Sequence, residues 1–279
     1  MTTYIKKESL LQVRNISLCY GEKCILRDVN FSIRDIVRPG IQQGQVVSLV
    51  GRSGIGKTQL FRVLSGLQKP TGGSITIRER KPAETGAGVI EVWRERPVRA
   101  GDMGVIFQNY YQFGWRTVGQ SLLLGARRNP ALAGKEEDAI REYAGRFDIA
   151  GVLQRYPSQL SGGEQQRVSI IQQLLKGSNF LLLDEPFSGL DICVLEKVTE
   201  LLQQVSLSDE WKTLIIVSHD IATAVSISDT VFILGHSKDA EGSTLVREID
   251  LMERGLAWRS DLREDKVFLD TLAEIKDCL

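Results

Sequence analysis

The sequence has few of the residues that build metal centres or disulfide frameworks. It holds four cysteines and two histidines. No two cysteines form a C-x-x-C pair, and neither His219 nor His236 stands near a cysteine cluster. This spacing argues against structural zinc and against a disulfide framework. It predicts that Cys19, Cys24, Cys193 and Cys278 are buried, reduced thiols, as suits the cytosol. Net charge is also missing: Lys+Arg and Asp+Glu each number 35. A dedicated nucleic-acid binder carries a basic excess, so the balance speaks against a nucleic-acid partner. Long apolar runs are absent too. "FLLL", "LIIV" and "VFIL" are four residues each, whereas a membrane span takes about twenty. "MTTYIKKESL" has no apolar h-region, so no signal peptide is expected. No internal repeat or low-complexity stretch is visible.

What is present reads as an ordinary globular chain of 279 residues, 42% apolar, long enough for a large core. Five short apolar runs predict buried strands: Val46 to Val50, Gly104 to Phe107, Phe180 to Asp184, Thr213 to Ser218 and Thr230 to Leu234. Several are separated by helical segments, which predicts a parallel sheet covered on both faces. "LLQVRNISLCY", "ILRDVNFSI", "GSITI" and "GVIEVW" instead alternate apolar and polar residues, as half-buried antiparallel strands do. Between Thr117 and Lys176 the spacing turns helical, in "TVGQSLLLGARR" and "KEEDAIREYAGRFDI". The charged stretch from Arg78 to Ala100 suits a solvated hairpin. Near the C-terminus Asp261 with Glu264 is expected to cap a helix whose apolar stripe is Leu262, Leu269, Leu272 and Ile275.

Two motifs carry chemistry. "GRSGIGKT" fits G-x-x-x-x-G-K-[ST], follows the strand "VVSLV" and opens a helix, the context this phosphate loop needs. Gly51, Arg52, Ser53, Gly54, Ile55 and Gly56 are expected to wrap phosphates with backbone N–H groups, with Gln59 just after. Lys57 would reach the β- and γ-phosphates, and the Thr58 hydroxyl would ligate Mg²⁺. The strand "FLLLD" delivers Asp184 to its C-terminal end, where ligands of open α/β sheets bind. Asp184 is placed to hold the Mg²⁺ shell, and Glu185 to polarise an attacking water. "QLSGGEQQRV" sets a serine and two glycines before a helix, a second anion-binding arrangement. Ser161 with Glu164 also fits a capping box.

With "LSGGEQQR" lying between the phosphate loop and "LLLDEP", the sequence resembles the ATP-binding-cassette family from about residue 10 to 235. The resemblance implies a P-loop NTPase core with a parallel sheet, an antiparallel β subdomain and an inserted α-helical subdomain. It implies a cassette over 10–247, the helical part at about 110–176, and a helical tail at 248–279. Tyr20 in "LCYGEK" stands where the family sets an aromatic ring against adenine. Gln108 matches the Q-loop glutamine, which contacts the metal, Asp191 in "SGLD" the D-loop, and His219 the switch histidine. In the family two cassettes pair head-to-tail, so Ser161, Gly162 and Gly163 of one chain face the ATP held by the other. The implied activity is Mg²⁺-dependent ATP hydrolysis, with Glu185 as general base and Lys57 and His219 on the phosphates. The implied setting is the inner face of a cell membrane, with permease subunits and a separate solute-binding protein.

"FGWRTVGQSLLLGARR", "YPSQLSGGEQQRVSI" and the C-terminal tail look most like cassettes of nitrate, sulfonate and taurine importers. Three features depart from the pattern: "RDIVRPGI" at Arg34 to Ile41 reads as an insertion, "IIQQLLKGSN" replaces an alanine- and arginine-rich helix, and Gln59 stands where Ser or Thr is common. Other readings are a soluble cassette ATPase acting on nucleic acid or ribosomes, and an exporter or lipid-transport cassette. The transported solute is not encoded here, because binding protein and permease choose it.

Overall fold

The computed structural model describes residues 4–41, 43–85, 88–188, 192–207, 210, 212–236, 241–259, 262 and 264–279. Two long strands come first, β1 (Ile5–Tyr20) and β2 (Lys23–Val37), paired antiparallel. The strand β3 (Gln45–Val50) leads to helix α1 (Lys57–Leu64). The hairpin β4 (Gly72–Thr85) and β5 (Gly88–Pro97) comes next, and its register, Thr76 opposite Pro97 to Thr85 opposite Gly88, matches the expected charged hairpin. After β6 (Gly104–Ile106) come three helices, α2 (Val118–Ala126), α3 (Glu136–Arg146) and α4 (Gly162–Leu175). The chain closes with β7 (Phe180–Asp184), α5 (Ile192–Ser206), β8 (Thr213–Ser218), α6 (Ile221–Ile227), β9 (Thr230–His236), β10 (Ser243–Asp250) and α7 (Lys266–Cys278).

All the strands join one sheet in the order β5-β4-β1-β2-β10-β9-β3-β8-β7-β6. The run β9-β3-β8-β7-β6 is parallel, and the arm β5-β4-β1-β2 is antiparallel. β10 joins the two: it pairs antiparallel with β9 and meets β2 at Ser243 and Leu26. Every residue of β3, β7 and β8 is buried, as strands covered on both faces require. Val47 and Leu49 of β3 pack with Leu60 and Phe61 of α1 and with Leu11 and Val13 of β1. Val46 faces a second core with Val118, Leu122 and Leu174 of the helical segment. The helix after the phosphate loop is thus clamped between arm and core.

Three expectations change. Cys19 and Cys24 are joined by a disulfide across the β1–β2 hairpin. Spacing alone suggested reduced thiols, but residues five apart become direct strand partners once the turn forms. The stretch read as an insertion between the β subdomain and the first core strand, Arg34–Ile41, begins inside that subdomain: β2 continues to Val37, with Ile36 and Val37 opposite Lys6 and Ile5. The C-terminal helix starts later than expected. Asp265 caps it, its side chain accepting from the Val267 and Phe268 N–H groups. Asp261 lies outside the described residues, and Leu262 precedes the helix. The buried face carries Phe268, Thr271 and Ile275, so Leu269 points outward at 51% exposure.

Candidate nucleotide site

The parallel strands β3, β7 and β8 end side by side, with Asp184 opposite Val217 and Val50 opposite Ser218. The loops leaving these three strands therefore meet at one edge of the sheet. After β3 the loop from Gly51 to Gly56 turns through positive φ at Gly54 (81°) and Gly56 (102°). Gly56 is the N-cap of α1 and supplies no side-chain cap. The first N–H groups of that helix are left to an outside acceptor, and an anion suits them. A Cβ at Gly56 would come within 3.0 Å of the Ile25 side chain, so the arm holds this turn from outside.

Lys57 is buried, and its Nζ donates to the carbonyls of Gly51 (2.8 Å) and Arg52 (3.1 Å). It lies 3.5 Å from Glu185 Oε1. Glu185 itself has φ 50°, a left-handed conformation uncommon for its type, which its N–H to Val217 O bond (2.8 Å) helps hold. Its Oε2 accepts from the His219 backbone N–H (3.2 Å) and lies 2.7 Å from His219 Nδ1. A carboxylate from β7, an ammonium from α1 and an imidazole from the end of β8 thus form one chain of contacts.

Asp184 is buried, and its Oδ1 has no hydrogen-bond partner among the described residues. Burial pushes its carboxyl pKa up, and Glu185 adds to that; Lys57, Arg62 and Thr58 pull against it. An orphaned buried carboxylate oxygen beside a threonine hydroxyl fits a divalent cation. Asp184, Thr58 and Gln108 line one cavity of about 440 Å³, so the three expected metal-binding residues converge. Arg62 and Tyr111 share that cavity and were not anticipated. For Arg62 the signal was available: it stands one helical turn after Thr58 on α1. On the arm side, Tyr20 is half exposed at the tip of β1, with its hydroxyl 3.3 Å from Gln59 Oε1.

The second anion motif sits elsewhere. Ser161 caps α4: its Oγ accepts from the Glu164 N–H (3.3 Å), while Glu164 Oε2 accepts from the Ser161 N–H (2.7 Å). That backbone bond, with the Ser161 hydroxyl, holds the Glu164 carboxyl below its ordinary range. Ser161, Gly162 and Gly163 line a different cavity, about 710 Å³, with Tyr110, Gln166 and Lys197. None of them lines the cavity of Thr58 and Asp184. Asp191 lies outside the described residues. After Gln108 the loop presents Tyr111, Phe113 and Trp115 to solvent, Trp115 at 74% exposure, with the Phe113 and Trp115 rings 5.4 Å apart. The loop is tied back to α4 by Gln112 Nε2, which donates to Gln165 O (2.8 Å). Among the described residues no helix is long and apolar enough to cross a membrane.

The chain is similar to several known proteins. The chain is 31% identical over 242 residues to the Fe(3+) ions import ATP-binding protein FbpC 1 of Pectobacterium atrosepticum, matching 85% of this chain and 62% of that protein. It is 33% identical over 232 residues to the sulfate/thiosulfate import ATP-binding protein CysA of Burkholderia mallei, matching 82% and 60%. The chain therefore spans about three fifths of the length of these relatives. In fold it is similar to cbiO1 from Clostridium perfringens, part of the ABC transporter complex cbiONQ, with a TM-score of 0.68 at 21% identity over 97% of this chain and all of that one. The sequence profile of the ABC transporter family matches residues 35–188, from the end of β2 through the phosphate loop and Ser161 to the residues after Glu185. With more than half its length inside that match, the chain belongs to the ABC transporter family.

Proposed function

We propose that the chain binds and hydrolyses ATP and, as a pair of cassettes, drives a membrane importer. The observation that carries this is the meeting of Lys57, Asp184, Glu185 and His219 at the ends of three parallel strands, with Asp184 Oδ1 buried and unpaired. Backbone N–H groups of the Gly51–Gly56 loop and the start of α1 would bind the phosphates, and Lys57 would exchange its carbonyl partners for them. Thr58, Asp184 and Gln108 would hold Mg²⁺, which supplies positive charge against the phosphates. Glu185 Oε2, oriented by His219, would take the proton of the attacking water. Tyr20 would carry the adenine ring.

Ser161–Gly163 line a separate cavity from the phosphate loop, which supports their serving a partner cassette's nucleotide; by the family resemblance Asp191 would belong to the same dimer contact. The working unit is 10–247, with 248–279 as a tail that starts within β10 and packs on the same sheet. The exposed pair Phe113 and Trp115, with Arg116, supports docking on a permease at the inner membrane face, and a solute-binding protein would complete the importer. Relatives named as iron and sulfate/thiosulfate import proteins support import as the direction of transport. The likeness to nitrate, sulfonate and taurine cassettes points the same way.

Glu185→Gln tests the reading. It keeps the shape of the side chain and removes its basicity. ATP turnover should fall by about 10²–10⁴-fold, while ATP binding in an equilibrium titration stays within a few fold. Wild-type turnover in this variant would assign the proton to another group.

A further inference from the structure

We propose that Cys19 and Cys24 are a redox modification site that sets how firmly the adenine end of the nucleotide site is built. The proposal rests on the nucleotide reading above. The two cysteines are direct partners at the last full rung of the β1–β2 hairpin, and beyond them only Tyr20 and Lys23 pair before the turn at Gly21 (φ 62°). The disulfide thus locks the rung next to the one that carries Tyr20. Both sides of the rung make contacts outside the hairpin, and those of Tyr20 and of Ile25 and Leu26 reach the nucleotide site. The Cys19 N–H donates to Thr71 Oγ1 (3.2 Å), and the Tyr20 hydroxyl meets Gln59, two residues past Lys57. Next to Cys24, Ile25 and Leu26 lie against Gly56 of the phosphate loop, where an added Cβ would stand 3.0 and 3.2 Å from their side chains.

These contacts divide the hairpin into a fixed base and a free tip. Leu18 and Leu26 are buried, so opening the S–S bond leaves the base packed on the phosphate loop. The tip, from Tyr20 to Lys23, is exposed and has little else to hold it. Tyr20 would then have to be ordered on each binding event, a cost of about 1 kcal/mol for one side chain, or about five-fold in affinity. The phosphate end should feel none of it. Both sulfurs belong to half-buried residues, so a small dithiol can reach them.

The chemistry balances with a dithiol as the co-reactant. One thiolate of the reductant attacks a cysteine sulfur, the Cys19–Cys24 bond breaks and a mixed disulfide forms. The first step releases the other cysteine as a thiolate; the second reductant thiolate then attacks the reductant's own sulfur in the mixed disulfide, expels the cysteine bound there and closes the reductant's disulfide. Two electrons pass to the chain, and two protons end on Cys19 and Cys24. The disulfide form of the same couple runs the step backwards.

The test compares the full chain after dithiothreitol with the same chain after oxidised glutathione, the state of the Cys19–Cys24 peptide being read by mass spectrometry. Dissociation constants are measured for a fluorescent methylanthraniloyl ATP and for inorganic tripolyphosphate, which has no adenine. The expected result is about five-fold weaker ATP binding in the reduced chain, unchanged tripolyphosphate binding, and a Cys19→Ser/Cys24→Ser chain fixed at the reduced value in both buffers. Equal ATP affinity in the two wild-type states overturns the proposal. So does a parallel shift for tripolyphosphate, or a pair that stays as free thiols in oxidised glutathione. If neither ligand binds in either state, the nucleotide reading falls and takes this proposal with it.

Discussion

Two buried aspartates, at opposite ends of the parallel strands, show what separates a brace from a binding site. Asp229 stands just before β9, at the end where β3 begins. It is fully buried and fully used: Oδ2 accepts from the Val46 N–H (2.8 Å), and Oδ1 from Trp258 Nε1 (2.6 Å) and the Arg38 guanidinium. Burial pushes its carboxyl up, and those donors pull against it. Asp184, at the other end, is almost as buried, yet one oxygen faces no donor among the described residues. A buried charge with all its partners ties β2, β3 and the C-terminal segment together. One with a partner missing costs stability, and the cation proposed above would explain why it is kept.

The sharpest way to break the comparison is Asp184→Asn. Loss of the charge should cut ATP turnover by roughly 10³-fold, while the melting temperature without nucleotide holds or rises. A variant that unfolds instead would make Asp184 a brace like Asp229. Next in size is Asp229→Ala, which leaves the buried Arg38 charge without its carboxylate, with the Gly44 carbonyl as its remaining oxygen acceptor. It should cost about 3–5 kcal/mol in denaturant unfolding, with ATP affinity little changed in the fraction that folds. A loss under 1 kcal/mol would show that the ion pair is not what joins these segments.

Ser161→Ala separates cap from site at the second anion motif. The lost cap should lower stability by only about 1 kcal/mol, whereas ATP-dependent dimerisation, followed by size-exclusion chromatography, should weaken beyond that. Equal small effects on both would leave the serine a cap alone. The smallest effect is in pH. The folded Asp184 carboxyl is raised, so its ionised form penalises the fold at neutral pH and protonation relieves it. Wild type should therefore gain on Asp184→Asn as pH falls through that raised pKa, the gain being complete below the unfolded value of about 3.9. Subtracting the variant's melting curve cancels Asp265 and Glu274, whose lowered carboxyls lose stability over the same acid range. A difference flat from pH 7 to 4 would contradict the raised pKa.

What the sequence made legible was local. The phosphate loop, the Ser161–Glu164 cap and the buried strands are each written within about ten residues, because backbone turn, cap and strand burial act over that range. The Asp229 brace joins residues 191 apart, and nothing near Arg38 marks it as a buried cation. Cys19 and Cys24 are close in sequence, but their pairing depends on hairpin register, which spacing rules do not contain. At α7 both Asp261 and Asp265 suit a cap. The choice fell to the helix that buries Phe268 and Ile275 against the sheet, a matter of packing.

The topology also governs the making of the protein. β3 is wholly buried, and its partner β8 begins 168 residues later in the chain. At about 5–20 residues per second the ribosome takes roughly ten to thirty seconds to supply that partner. The antiparallel arm finds its own neighbours sooner, β1 with β2 and then β4. During this interval an unpaired greasy strand, with a glycine-rich loop behind it, stands open to other nascent chains. Slower elongation or a depleted chaperone pool should therefore lower the soluble yield, even for a chain whose finished fold is stable.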